Sequence, residues 1–351
     1  MFHRSKVLSL SIGGLLLILI GGMLLLAIIL PKLQIAREGA HLSQCTKNLM
    51  ELTQAAQKYS EFQDGMPPIT TNSDGFYPSW CALIIPYAET SPAFKLDQRG
   101  DSPANLKIIQ NYNRPIWQCP SRRAGQVYNF PASFSVGSSD AEFSPSLPTD
   151  YVASHCTTAD IWSVHADGVV VNPLLPATIG VHPTSSVQVA EIAEGDGQSF
   201  TAIFGEKHMH PSWLGATAGG EYSEGLDIPA LITANGAGSI RLAGDRLSFG
   251  TLPLAPGPEW GLDKHPHAFW AFGSWHLDRA QFARVDGSVK SYATQTEPAV
   301  LRRLISRNDG RETALSAEKA VGSDAQGALA GEENMPLALI QATAAPSQPP
   351  R

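Results

Sequence analysis

The chain is expected to be an α+β protein: a long N-terminal membrane-spanning helix packed on a β-rich globular head, with a disordered C-terminal tail. Three observations lead to this. Residues 7–30 (VLSLSIGGLLLILIGGMLLLAIIL) carry no charge. Residues 31–63 continue in good helix formers, with apolar positions spaced by three and four. The remainder is turn-rich, with Gly 31 and Pro 26 over the whole chain, as a β-rich head requires.

The apolar run is about 24 residues, or about 36 Å of helix, against a hydrocarbon core of about 30 Å. Arg4 and Lys6 precede it, which places the N-terminus (1–6) in the cytoplasm and the head outside. A cleaved signal peptide would have a shorter apolar core and a small-residue cleavage site. Here Pro31-Lys32-Leu33 follows, so the helix (7–30) is expected to be retained.

In the second half of the helix (31–65), Leu42, Cys45, Leu49, Leu52, Ala56 and Tyr59 share one face. Lys47, Glu51, Gln54, Lys58 and Glu61 line the other. Asp64-Gly65 before Pro67-Pro68 ends the helix, with Gly as the left-handed cap.

Length allows about two domains. Subtracting the anchor and a tail from 351 residues leaves one head, 66–312. Net charge is −7 and no basic run occurs, so nucleic acid is not an expected partner. From 313 to 351 the chain is mostly Ala, Gly, Ser, Gln and Pro without period, the composition of disorder.

Within the head, Ser79-Trp80 and Ala82–Tyr87 read as a short buried helix ended near Pro86. GVVVN, SSVQVAEI and SFTAIFGEK, between 168 and 207, read as strands. Residues 213–265 show no order. Asp286-Gly287 reads as a hairpin turn between 281–285 and 288–292, and Pro298 opens a short helix.

A membrane helix running into an amphipathic helix under a β-rich head resembles the type IV pilin and pseudopilin spine. The wording of residues 30–68 is closer to a bacterial family of unknown function with a prepilin-type N-terminus and a C-terminal H-X9-DG box. His276 with Asp286-Gly287 supplies that box. Cys119-Pro120-Ser121 matches the family's CPS step, and 149–154 its DYV segment. Asp196-Gly197, Gly205 and Glu206 match its DG…GE segment. The resemblance spans roughly 31–312. Met1–Ser11 (MFHRSKVLSLS) lacks the Gly-Phe pair and acidic residue of the prepilin peptidase signature.

The resemblance implies a membrane-anchored structural or assembly protein of the cell envelope, linked to a type II secretion-like system. Its partners would be the lipid bilayer and other envelope or pseudopilin-like proteins. An anchored ligand- or polymer-binding module is the alternative.

Two groups of residues have metal-binding chemistry. One is His265, His267 and His276 with Asp278; the other is Glu206, His208 and His210, with i, i+2 histidines sharing a strand face. An envelope metallohydrolase would need these groups to converge. No HExxH or G-x-S-x-G occurs, so no catalytic residue, metal or cofactor is expected. Asp196 and Asp286 read as turn residues, and Trp260, Trp270 and Trp275 as core or a partner patch. Cys45, Cys81, Cys119 and Cys156, outside the cytoplasm, suggest up to two disulfides with three possible connectivities. Their long spacings and the lack of a CxxC argue against zinc. His276 is expected to brace the hairpin by bonding backbone or Asp groups across it.

Overall fold

The structure, a computed structural model, describes residues 12–69, 79–88, 115–123, 148–157, 166–171, 187–214, 227 and 238–309. Helix α1 is Ile12–Gln63, about 78 Å long. It runs unbroken through Pro31, whose missing N–H leaves the Ala27 carbonyl without its helical donor. Over Leu15–Leu30 every large apolar side chain is 48–73 % exposed. This is a helix long and apolar enough to cross a membrane, and none of its apolar window is buried in the head. A core helix of a soluble domain would hide that surface.

The lower half behaves differently. Cys45, Leu49, Leu52, Ala56 and Tyr59 are buried, while Lys47, Gln54, Lys58 and Glu61 face outward. Each fully buried leucine contributes about 1.5–3 kcal/mol. The helix ends at Asp64, which itself takes the left-handed conformation (φ 54°). Gly65 was expected there; aspartate tolerates this region better than most residues.

The head is built on a five-stranded sheet in the order β3-β1-β2-β6-β7. Its strands are β1 (Tyr151–Cys156), β2 (Ala202–Glu206), β3 (Ile240–Leu242), β6 (Arg279–Arg284) and β7 (Val289–Ala293). β1 pairs parallel with β3; the other neighbours pair antiparallel. β4 (Gly244–Leu247) and β5 (Gly250–Leu252) form a separate ribbon.

Two apolar layers cover the sheet. On one face lie α1 and α2 (Trp80–Ala88), with Trp80 stacked on Phe204 at 4.3 Å. On the other, Leu301, Leu304 and Ile305 of α5 (Pro298–Ile305) pack with Val152, Ala280 and Phe282. Alternation along β6 sends Ala280 and Phe282 to α5 and turns Gln281 and Ala283 to α1. The hairpin forms as expected: Gly287 has φ 87°, and its N–H donates to Arg284 O at 2.9 Å.

Four expectations need correction. GVVVN forms no strand over its described residues 168–171, although Val169, Val170 and Val171 are buried. SSVQVAEI is not a strand: Val189–Glu194 is a short helix, α4. Val187, Val189 and Ile192 gave the segment a β-like composition, but the buried positions are Val187, just before the N-cap Gln188, and Ile192 within the helix, the spacing by which a helix entry is stapled to the core. The helix expected to end near Pro86 continues to Ala88. Part of 213–265 is ordered, as β3, β4 and β5. The tail expected from 313 and the N-terminal charges lie outside the described residues.

Candidate functional site

Four segments meet between α1 and the sheet. Cys45 points inward from the buried stripe of α1. Cys119 precedes α3 (Pro120–Arg123), Glu206 ends β2, and His276 stands just before β6. One donor atom from each of these four residues lies within 4.8 Å of the others, and all four residues are buried. Cys45 Sγ is 3.1 Å from Cys119 Sγ. Cys119 Sγ is 3.6 Å from His276 Nε2. His276 Nε2 is 3.3 Å from Glu206 Oε1.

The surroundings hold these groups in place. The Glu206 Oε2 atom accepts from the Gln281 backbone N–H at 2.8 Å. The Glu206 Oε1 atom accepts no hydrogen bond. His276 Nδ1 pairs with the Glu38 carboxylate and lies 3.3 Å from Ser121 Oγ, which donates to Glu38 Oε2 at 2.9 Å. Glu38 and Cys45 are two turns apart, on one face of α1.

Cys119 is fixed through Asp150. The carboxylate accepts the Cys119 N–H at 2.8 Å and both arginines of α3, Arg122 Nη1 at 2.9 Å and Arg123 Nε at 2.9 Å. Arg123 also forks onto Asp227 at 2.7 and 2.8 Å. The Asp150 backbone accepts from Lys207 N at 2.8 Å. One buried aspartate, at the entry to β1, thus ties the CPS step through its carboxylate and the residue after Glu206 through its backbone carbonyl.

Proton affinities follow from this packing. Burial pushes Cys119 up, but hydrogen bonds accepted from Cys45 and from His276 outweigh it and bring the thiol down to about 6. Cys45, which donates in that pair, is raised. Burial would lower His276, yet its contacts with Cys119, Glu206 and Glu38 push it up to about 12. Burial raises Glu38, but the His276 hydrogen bond and charge leave it net lowered. The cluster is a close thiol pair facing an imidazole that stands between two carboxyl groups.

The expected groupings are therefore redrawn. Glu206 and His276 come together, one from each histidine group. His208 is buried elsewhere, with Nε2 donating to Trp260 O at 2.6 Å, and it lies beyond the end of β2. His210 caps a short turn at Ser212, and His265 and His267 lie near Trp260 and Phe249. His276 does not brace the hairpin; its ring faces α1 and the CPS step. The structure joins none of the four cysteines to another by an S–S bond, so the suggested disulfides are not shown. Cys45 and Cys119 approach to 3.1 Å, well beyond an S–S bond of about 2.05 Å. Cys81 and Cys156 are buried apart from the site.

Of the remaining motif residues, Pro120 opens α3 and Ser121 joins the Glu38–His276 contact. Gly205 lies under two phenyl rings. Asp196 accepts Asp309 N–H at 2.8 Å, and Gly197 takes φ 95°. Asp286 accepts Ser288 N–H at 2.9 Å, as a turn residue. Trp270 is core, and Trp275 donates to Met209 O at 2.7 Å. Sequence reading missed Glu38 and Gln281. For Glu38 the signal was its seven-residue spacing from Cys45.

A family model described as "Protein of unknown function (DUF1559)" matches residues 34–299, roughly three quarters of the chain. No curated protein and no solved structure matches it.

Proposed function

The chain belongs to the DUF1559 family of unknown function, and from that premise we propose that it is a membrane-anchored, pseudopilin-like structural or assembly protein of the bacterial cell envelope. One observation carries this reading. A single helix leaves the apolar surface of Leu15–Leu30 exposed and, without interruption, buries the Cys45–Tyr59 stripe in the head. Such a helix is a spine: it transmits position from bilayer to head without a hinge.

In this reading the N-terminus is cytoplasmic, as Arg4 and Lys6 favour, and the head is extracytoplasmic. The head works beside other envelope proteins, in the manner of a type II secretion-like assembly. Net charge −7 without a basic run weighs against nucleic acid. Among the described residues, the thiol–imidazole–carboxylate cluster is closed off from solvent, which weighs against a hydrolase.

The test is photo-cross-linking in the native membrane from Met50 and Phe62, both exposed on the outer face of α1. Discrete adducts with an envelope protein or a second copy are expected. A chain that cross-links to nothing and purifies alone from detergent would contradict the assembly role.

A further inference from the structure

We propose that Cys45, Cys119, Glu206 and His276 form a closed tetrahedral site for one zinc ion, which clamps the membrane-proximal spine to the sheet. Tetrahedral zinc with bonds of about 2.3 Å to sulfur and about 2.0–2.1 Å to nitrogen or oxygen has edges of about 3.3–3.8 Å. The Cys119–His276 edge is 3.6 Å and the His276–Glu206 edge 3.3 Å. The thiol pair, at 3.1 Å, opens by about 0.7 Å, and the remaining edges, all within 4.8 Å, close to complete the figure.

The donors select the ion. Two thiolates, an imidazole and one carboxylate suit a borderline-soft dication. Calcium and magnesium take oxygen shells, which this site does not offer.

The surroundings are those of a ligand set. Glu38 engages His276 Nδ1 and leaves Nε2 facing the centre, the carboxylate–histidine pairing common behind zinc ligands. Gln281 N–H holds Glu206 Oε2, and Oε1, buried and without a hydrogen bond, is aimed inward. Four protein donors with no open position make the site structural. The ligands come from α1, the CPS step, β2 and the approach to β6, so one ion joins parts of the chain far apart in sequence. On binding, the ligand atoms release to solvent whatever protons they hold, so that two thiolates, a neutral imidazole and a carboxylate face the ion. The site stands on its own geometry and does not depend on the assembly role.

The test uses the full chain, solubilised in detergent and purified with its thiols reduced. Elemental analysis should find one zinc per chain, and stripping it should lower the melting temperature by several degrees. Cobalt added to the stripped protein should give thiolate-to-cobalt charge transfer and tetrahedral d–d bands, which zinc then abolishes. Cys45→Ser and His276→Gln should lose that spectrum, and Cys81→Ser should keep it. If those variants fail to fold, the wild-type readings still decide. A reduced wild-type chain that takes up neither cobalt nor zinc, native protein with Cys45 and Cys119 joined as a disulfide, or equal loss in Cys81→Ser would each overturn the site.

Discussion

Gly205 and Gly287 are both motif glycines, required for different reasons. A Cβ on Gly205 would sit 2.8 Å from the rings of Phe272 and Phe282. Gly205→Ala therefore overpacks the core and should cost about 1–3 kcal/mol. Gly287 has open space around it, its nearest neighbour being Gln57 Nε2 at 4.0 Å, but its φ is 87°. Gly287→Ala should cost roughly 1–2 kcal/mol from backbone strain alone, and Gly287→Asn less. Urea denaturation of the three variants separates the cases. Equal losses for Ala and Asn at 287 would remove the strain argument. The turn at 286–287 was legible because Asp-Gly chemistry is local. Gly205 was not, because the rings that crowd it arrive from β6 and from Phe272. Glu206 and His276 stood out one by one, but nothing local pairs them.

At the scale of elements, α3 and its buried carboxylate hold Cys119 in register with β1 and β2. Asp150 sits at full burial between Arg122 and Arg123. Burial alone would raise its pKa, but the two guanidiniums outweigh it and hold the carboxyl below the usual range. A carboxylate with a depressed folded pKa stabilises above its unfolded value of about 3.9, and that contribution is lost as pH falls through the folded value. Asp150→Asn should thus cost about 3–5 kcal/mol at neutral pH, by stranding the buried Arg122 and leaving Arg123 with Asp227 alone. The gap between variant and wild type should shrink below about pH 4. A gap that stays constant into acid would show that Asp150 is not ionised in the fold. Among the helices, α1 was legible because its stripe repeats over many turns. α4, at six residues, is too short for period to outweigh β-branched composition.

At the scale of the whole molecule, one face of α1 does two jobs in sequence. Above, its apolar side chains are exposed; below, they are core. Hydropathy gave the first half and periodicity the second, so the spine could be read before the head. The assembly of the Cys-Cys-Glu-His cluster could not, since its four members are brought together only by sheet order and by the packing of α1 across β2 and β6. The central claim is that residues 12–30 of this continuous helix remain in the bilayer beneath the head. Alkaline extraction of native membranes, followed by intact-mass analysis of the retained chain, tests it directly. The chain should stay with the lipid and keep residues 12–30. A head released to the soluble fraction with a new N-terminus near Ala27 or beyond would contradict it.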